Sequence, residues 1–174
     1  MDANKQEARF REWLAEHTGL LLKVVRSFAD GPADADDLLQ EILLQVWMSL
    51  PNFRDQSNPT TWLYRVALNT ALAWKRREKK HRRGNQDFAA ISDIVATQPT
   101  SGEQQADPDA IEQLYAAIRA LDAAKRALVL LYLDGLSYAE MAEVTGISES
   151  NVGVRLTRIK KELSAKLKVS DHVA

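Results

Sequence analysis

The sequence has no cysteine among its 174 residues, which excludes disulfides and any thiolate-ligated metal. No apolar run approaches the length of a membrane span, so direct membrane insertion is not expected. The mixed-charge N-terminus lacks the apolar core of a signal peptide, and a cytoplasmic location is the expectation. No segment sustains period-two alternation, so no sheet is expected. Neither sign of charge dominates: 23 Lys and Arg against 24 Asp and Glu leave a formal net charge of −1. A protein that coats nucleic acid without regard to sequence needs a broad positive field, which this balance excludes. Any nucleic-acid contact must come from local basic patches offset by acidic stretches elsewhere.

What the chain does contain is helical patterning in two blocks. Apolar residues make up 45% of the sequence, enough for two packed but small cores. The expected fold is all-α, with two small helical domains, residues 1–83 and 110–174, joined by an acidic flexible linker over 84–109.

In the first block, Phe10, Trp13, Leu14, Leu21, Val24, Val25 and Phe28 recur at helical spacing, and Asp30-Gly31-Pro32 is a stop signal. Asp34 is the expected N-cap of a second helix whose inward stripe is Leu39, Ile42, Leu43, Val46 and Leu50. Asp37, Gln40, Glu41 and Gln45 project from its other faces. The cluster Asp34, Asp36, Asp37 and Glu41 lacks the flanking His and the loop of a metal site, and helix capping explains most of it. After the polar loop 52–59, Thr60 or Thr61 is expected to cap a third helix. Leu63, Val66, Ala67, Ala71 and Trp74 face inward there, Arg65, Asn69 and Arg76 form a polar face, and Trp62 and Tyr64 add aromatic surface near the loop.

Residues 75–83 carry seven cations and one glutamate, too concentrated for a balanced solvated face. A phosphate backbone is the partner such a run fits, and a disordered basic tail is the competing reading. From Gly84 to Asp109 the character reverses: there is no Lys or Arg and there are five acids, as in a linker. Phe88, Ile91, Ile94 and Val95 are its apolar residues, able to dock or to form a helical turn.

The second block begins near Ala110, with a helix on Ile111, Leu114, Ile118 and Leu121. Asp122 caps another, in which Leu128, Val129, Leu131 and Tyr132 are burial candidates. Ser137 with Glu140 is a capping box. Gly146 stands where a helix must stop and the chain must turn, and Ser148 then caps the last helix. Val152, Leu156, Ile159 and Leu163 form one apolar stripe, with Arg155, Arg158, Lys160 and Lys161 off it. This is the grammar of a helix-turn-helix whose second helix fits a DNA major groove, and equally of an ordinary αα-hairpin with a solvated face.

Taken together these segments resemble bacterial sigma factors of the extracytoplasmic-function (ECF) subfamily. Asp34-Ala35-Asp36-Asp37-Leu38-Leu39-Gln40-Glu41-Ile42 is similar to their core-polymerase-binding motif. Thr61-Trp62-Leu63-Tyr64-Arg65-Val66-Ala67-Leu68-Asn69, followed by Lys75-Arg76-Arg77, is similar to their promoter-melting and minus-ten-reading helix. Ile118 to Leu167 resembles their minus-thirty-five-reading domain.

The resemblance implies roles. Asp37, Gln40, Glu41 and Gln45 meet basic and polar side chains of core RNA polymerase. The loop with Phe53, Arg54, Ser57 and Asn58, beside Trp62, receives a base flipped from the non-template strand. Arg65, Asn69, Lys75, Arg76 and Arg77 hold phosphates of promoter DNA. Ser148, Glu149, Ser150, Asn151, Arg155 and Arg158 approach the upstream element. The linker threads polymerase channels otherwise used by RNA, and an anti-sigma factor wedges between the two domains.

No catalytic residue, metal, cofactor or small-molecule substrate is implied. One departure is visible: Gly153 stands where many members carry Lys, which removes a contact and loosens the helix by roughly 1 kcal/mol relative to Ala. The competing functions are an adaptor that mimics a sigma factor and sequesters its inhibitor, a helix-turn-helix repressor that binds operator DNA alone, and a hydrolase using Asp36, Asp37 and Glu41.

Overall fold

The structure, a computed structural model, describes residues 2–55, 57–84 and 107–171, and among them there are helices and no strand. The chain divides into two compact units, residues 1–98 and 99–174. The larger part of the expected linker, with Phe88, Ile91, Ile94 and Val95, lies outside the described residues.

The first unit packs α1 (Ala3–Phe28), α2 (Pro32–Ser49) and α3 (Pro59–Gly84) against one another, with a 3-10 turn at Leu50–Asn52. Leu21, Val24, Val25 and Phe28 of α1 meet Leu38, Ile42, Val46 and Leu50, and Leu63, Tyr64, Ala67, Leu68 and Ala71 of α3, all buried. Each fully buried large aliphatic contributes about 1.5–3 kcal/mol. The helix of residues 59–84 includes the backbone of the whole basic run, so a disordered tail is not its form.

Several details differ from expectation. Helix α2 starts at Pro32 behind an extended Gly31, and Asp34 sits inside the first turn instead of capping it. Proline at the first helical position gives up an N–H that has no partner there, so the stop signal of one helix is also the start of the next. The centre of the buried stripe is Leu38 and not Leu39: the series Leu38, Ile42, Val46, Leu50 is buried, while Leu39 and Leu43 flank it half-buried. Asn58, not a threonine, caps α3, its Oδ1 accepting from the Thr60 N–H at 2.9 Å. The following proline holds Asn58 in the extended region that a cap needs. Thr61 and Tyr64 are buried, so Tyr64 adds no surface near the loop, and Trp74 is only half-buried.

The second unit contains α4 (Pro108–Arg119), α5 (Ala123–Leu133), α6 (Tyr138–Thr145) and α7 (Glu149–Asp171). Asp107 caps α4, which starts at Pro108, two residues ahead of the expected Ala110. Asp122 caps α5 by accepting from the Lys125 N–H at 3.0 Å. Tyr115, Ile118, Leu121, Leu128, Leu131, Met141, Val152, Leu156 and Ile159 form the core. Tyr132 is a correction: it is 40% exposed, and Lys160 Nζ sits 3.9 Å from its ring centroid. Neighbouring helical positions point about 100° apart, so Leu131 takes the core position and Tyr132 is turned outward.

Candidate functional site

Helix α2 buries Leu38, Ile42 and Val46 and thereby turns Asp37, Gln40, Glu41, Leu44 and Met48 away from the core, with Leu44 and Met48 exposed. Beside them α3 supplies Trp74, Arg77, Glu78 and His81, and the two helices enclose an open groove of about 810 Å³ lined by both polar and apolar groups. Arg77 Nη2 lies 3.7 Å from Glu41 Oε1, which also accepts from Gln45 Nε2 at 3.4 Å. Gln45 lines a second hollow with Asn69, Arg76 and Arg77. An ion pair this exposed contributes little to stability, so both charges are available to exchange for a partner's.

Along α3, Trp62, Arg65, Asn69 and Arg76 follow at i, i+3, i+7 and i+14, one stripe of a helix. Asn69 and Arg76 are exposed, and Arg65 and Trp62 half-buried. Arg76 donates from Nε to the Leu72 carbonyl at 3.2 Å. Lys75 does not share this stripe. Its Nζ bonds Asp30 at 2.7 Å and Glu78 at 3.0 Å on another side of the helix. Asp30, Asp34 and Glu78 bring carboxylate oxygens within 4.8 Å of one another, and the Lys75 ammonium supplies the counter-charge.

The loop before α3 rests on an aromatic triad. Phe53 meets Trp13 edge-on at 4.9 Å and Trp62 at 5.4 Å, and Trp13 meets Trp62 at 5.6 Å. At 8% exposure Phe53 is an anchor of the loop and not a surface offered to a base. Arg9 of α1 sits 5.9 Å from the Trp13 and Phe53 rings and reaches Asp55 at 3.7 Å. Asp55 has φ +54°, a left-handed conformation that Asp tolerates better than most residues. Arg54 and Asn58 are exposed and Ser57 half-buried, so Arg54 and Ser57 remain as the loop's polar groups while Asn58 serves α3 as its cap.

In the second unit the helix-turn-helix forms as its residues require. Ser137 Oγ accepts from the Glu140 N–H at 3.2 Å, and the Ser137 N–H donates to Glu140 Oε2 at 2.8 Å. That N–H, together with the Ser137 hydroxyl donating to Glu140 Oε2 at 2.8 Å, holds the Glu140 carboxyl below the ordinary glutamate value. Gly146 takes φ +73° and donates to the Ala142 carbonyl at 2.8 Å, closing α6. Ser148 Oγ accepts from the Asn151 N–H at 3.3 Å to begin α7.

With Val152, Leu156 and Ile159 buried, Glu149, Ser150, Asn151, Arg155 and Arg158 are exposed, and Arg155 Nε donates to Asn151 Oδ1 at 3.2 Å. Gly153 has a neighbour: a Cβ built there would lie 3.4 Å from Tyr138 Cε2. The Tyr132 side chain beside Lys160 Nζ raises that ammonium's pKa above the ordinary lysine value.

The structure thus collects the sequence-predicted residues into three surfaces: the α2 groove, the loop with the α3 stripe, and the outer face of α7. Lys75 and Phe53 stand apart from the surfaces they were expected to serve. Trp74, read as core, lines the groove half-buried, while Leu44 there, the exposed Met48 on the same helix, and Tyr138 and Val154 in the helix-turn-helix escaped sequence reasoning. Their signal is an apolar side chain lying off the inward stripe of its own helix.

Comparison with known proteins follows this division. Residues 13–81 match the family model "Sigma-70 region 2" and residues 111–163 match "Sigma-70, region 4". The chain is 30% identical to the ECF RNA polymerase sigma factor SigF of Caulobacter vibrioides, over 94% of this chain and 88% of that one. It is 28% identical to the RNA polymerase sigma factor CnrH of Cupriavidus metallidurans, over 95% and 90%. Among solved structures it is similar to the sigma factor RpoE of Bartonella quintana, in complex with the anti-sigma factor NepR. The TM-score is 0.75 at 23% identity, covering 92% of this chain and 98% of that one. No helix among the described residues is long and apolar enough to cross a membrane.

Proposed function

The chain belongs to the ECF sigma factors of the sigma-70 family, and from that premise we propose that it recruits core RNA polymerase to specific promoters and helps open the duplex. Binding energy does this work; the chain itself is a non-enzymatic initiation factor. The observation that carries the reading is the pairing of two unlike surfaces on one three-helix unit: an acidic and apolar groove on α2, and a cationic and aromatic stripe on α3.

The groove suits a protein partner. Asp37, Gln40 and Glu41 give charge-assisted hydrogen bonds and register, and Leu44 and Trp74 in the groove, with the exposed Met48 further along α2, give apolar area to bury. The stripe Trp62, Arg65, Asn69 and Arg76, with Arg54 and Ser57 of the loop, suits an unpaired strand: stacking on one side, phosphate ligands on the other. Arg77 sits at the seam, and its pair with Glu41 is exchanged when either surface is engaged. Ser148, Glu149, Ser150, Asn151, Arg155 and Arg158 approach the upstream element in the major groove. The cationic stripe favours this reading over a sequestering adaptor, which has no use for phosphate ligands. The proposed division of labour is between a domain at 1–83 and a domain at 110–174.

A protein inhibitor is part of the proposal. RpoE of Bartonella quintana was solved with the anti-sigma factor NepR and CnrH with the cytosolic domain of CnrY, and an anti-sigma partner is proposed here on that likeness. Purified chain added to core RNA polymerase is expected to give discrete transcripts from promoters mapped after its overexpression. Failure to direct any specific start would overturn the reading.

A further inference from the structure

Val154 is 52% exposed and lies on the side of α7 opposite the buried Val152, Leu156 and Ile159. One turn away on either side stand Ser150 and Arg158, both exposed, and Lys161 follows a further turn on. A scattered surface aliphatic needs no explanation. This one occupies the middle of the polar, cationic face of a helix that begins at the capped turn of a helix-turn-helix. Its neighbours leave it uncovered. Gly153 brings no side chain, and Thr157 commits its hydroxyl to the Gly153 carbonyl at 3.0 Å.

From this position we infer that Val154 reads the 5-methyl group of a thymine in the upstream promoter element. The inference rests on α7 being the helix that enters the major groove. There every base edge presents donors or acceptors, and only thymine adds a methyl. Valine has neither donor nor acceptor. Facing adenine, guanine or cytosine it would desolvate polar groups without pairing them; facing thymine it buries methyl against methyl. Arg155 and Arg158 beside it fix register through phosphates or purine edges, so the thymine is chosen by apolar contact inside a frame set by cations.

The test uses holoenzyme assembled from core RNA polymerase and the full chain, selecting upstream elements from randomised duplex. Wild type is expected to enrich thymine at one position. Replacing that thymine by deoxyuridine, which lacks only the methyl, should weaken binding about fourfold, the order one buried methyl commands. Val154→Ser, a surface change that leaves the fold intact, should lose both the enrichment and the sensitivity to deoxyuridine. An enriched element whose thymine preference survives Val154→Ser overturns the inference alone. Selection of no element at all overturns the initiation-factor reading, and this inference with it.

Discussion

The Tyr138 ring edge lies against Gly153: Cε2 stands 3.4 Å from the point where a Gly153 side chain would begin, the near limit of ordinary van der Waals contact. The glycine lies within α7 without a positive φ to require it. Gly153→Ala therefore gains helix propensity and asks only that an exposed ring yield slightly. Thermal unfolding should show stabilisation of up to about 1 kcal/mol. Destabilisation would mean that the ring is held rigidly in place.

The capping box gives a pH dependence of known sign. Glu140 is held below its ordinary value of 4.5, first by the Ser137 N–H and then by the Ser137 hydroxyl. Its contribution is therefore fully present above 4.5 and is lost as pH falls through the folded value. Glu140→Gln should flatten the acid side of the stability profile, and Ser137→Ala should cost about 1 kcal/mol at neutral pH. Urea unfolding from pH 7 to pH 3 checks both. An unchanged acid slope in Glu140→Gln would contradict the bond.

The core of the first unit distinguishes Leu38 from Leu39. Leu38 is fully buried and Leu39 only partly. Leu38→Ala is expected to cost about 2–5 kcal/mol and Leu39→Ala clearly less, measured by chemical unfolding. Equal losses would contradict the register.

That pair also shows how far the residues could be read in advance. Two all-α units, the capping box, the αL turn at Gly146 and the stripe of α7 followed from local chemistry, because each is decided within a turn or two of chain. The register of α2 did not. Leu38, Leu39, Leu43 and Leu44 offer two apolar stripes of equal merit, and only packing against α1 and α3 chooses between them. The side of α3 taken by Lys75 depends on Asp30, which is distant in sequence, so no local pattern could reveal it. Phe53 and Trp62 are close in the chain, but Trp13 completes their triad from another helix, and composition alone could not separate an anchor from a stacking surface.

Lys75 and Arg76 should behave as opposites in DNA binding although they are neighbours. Arg76 lies on the exposed stripe, whereas Lys75 is engaged by Asp30 and Glu78. Arg76→Ala should weaken promoter affinity of the holoenzyme and reduce the slope of log affinity against log salt by about 1. Lys75→Ala should leave that slope unchanged. A salt titration of both variants decides, and equal slopes would contradict the placement.

The claim on which the functional account depends is that α2 grips the polymerase. Asp37→Lys combined with Glu41→Lys reverses charge on an exposed face without touching the core residues Leu38, Ile42 and Val46. Affinity for core RNA polymerase, measured by fluorescence anisotropy of labelled chain, is predicted to fall at least about tenfold, with the helical circular dichroism and melting of wild type retained. Undiminished affinity in a folded double variant would contradict the account.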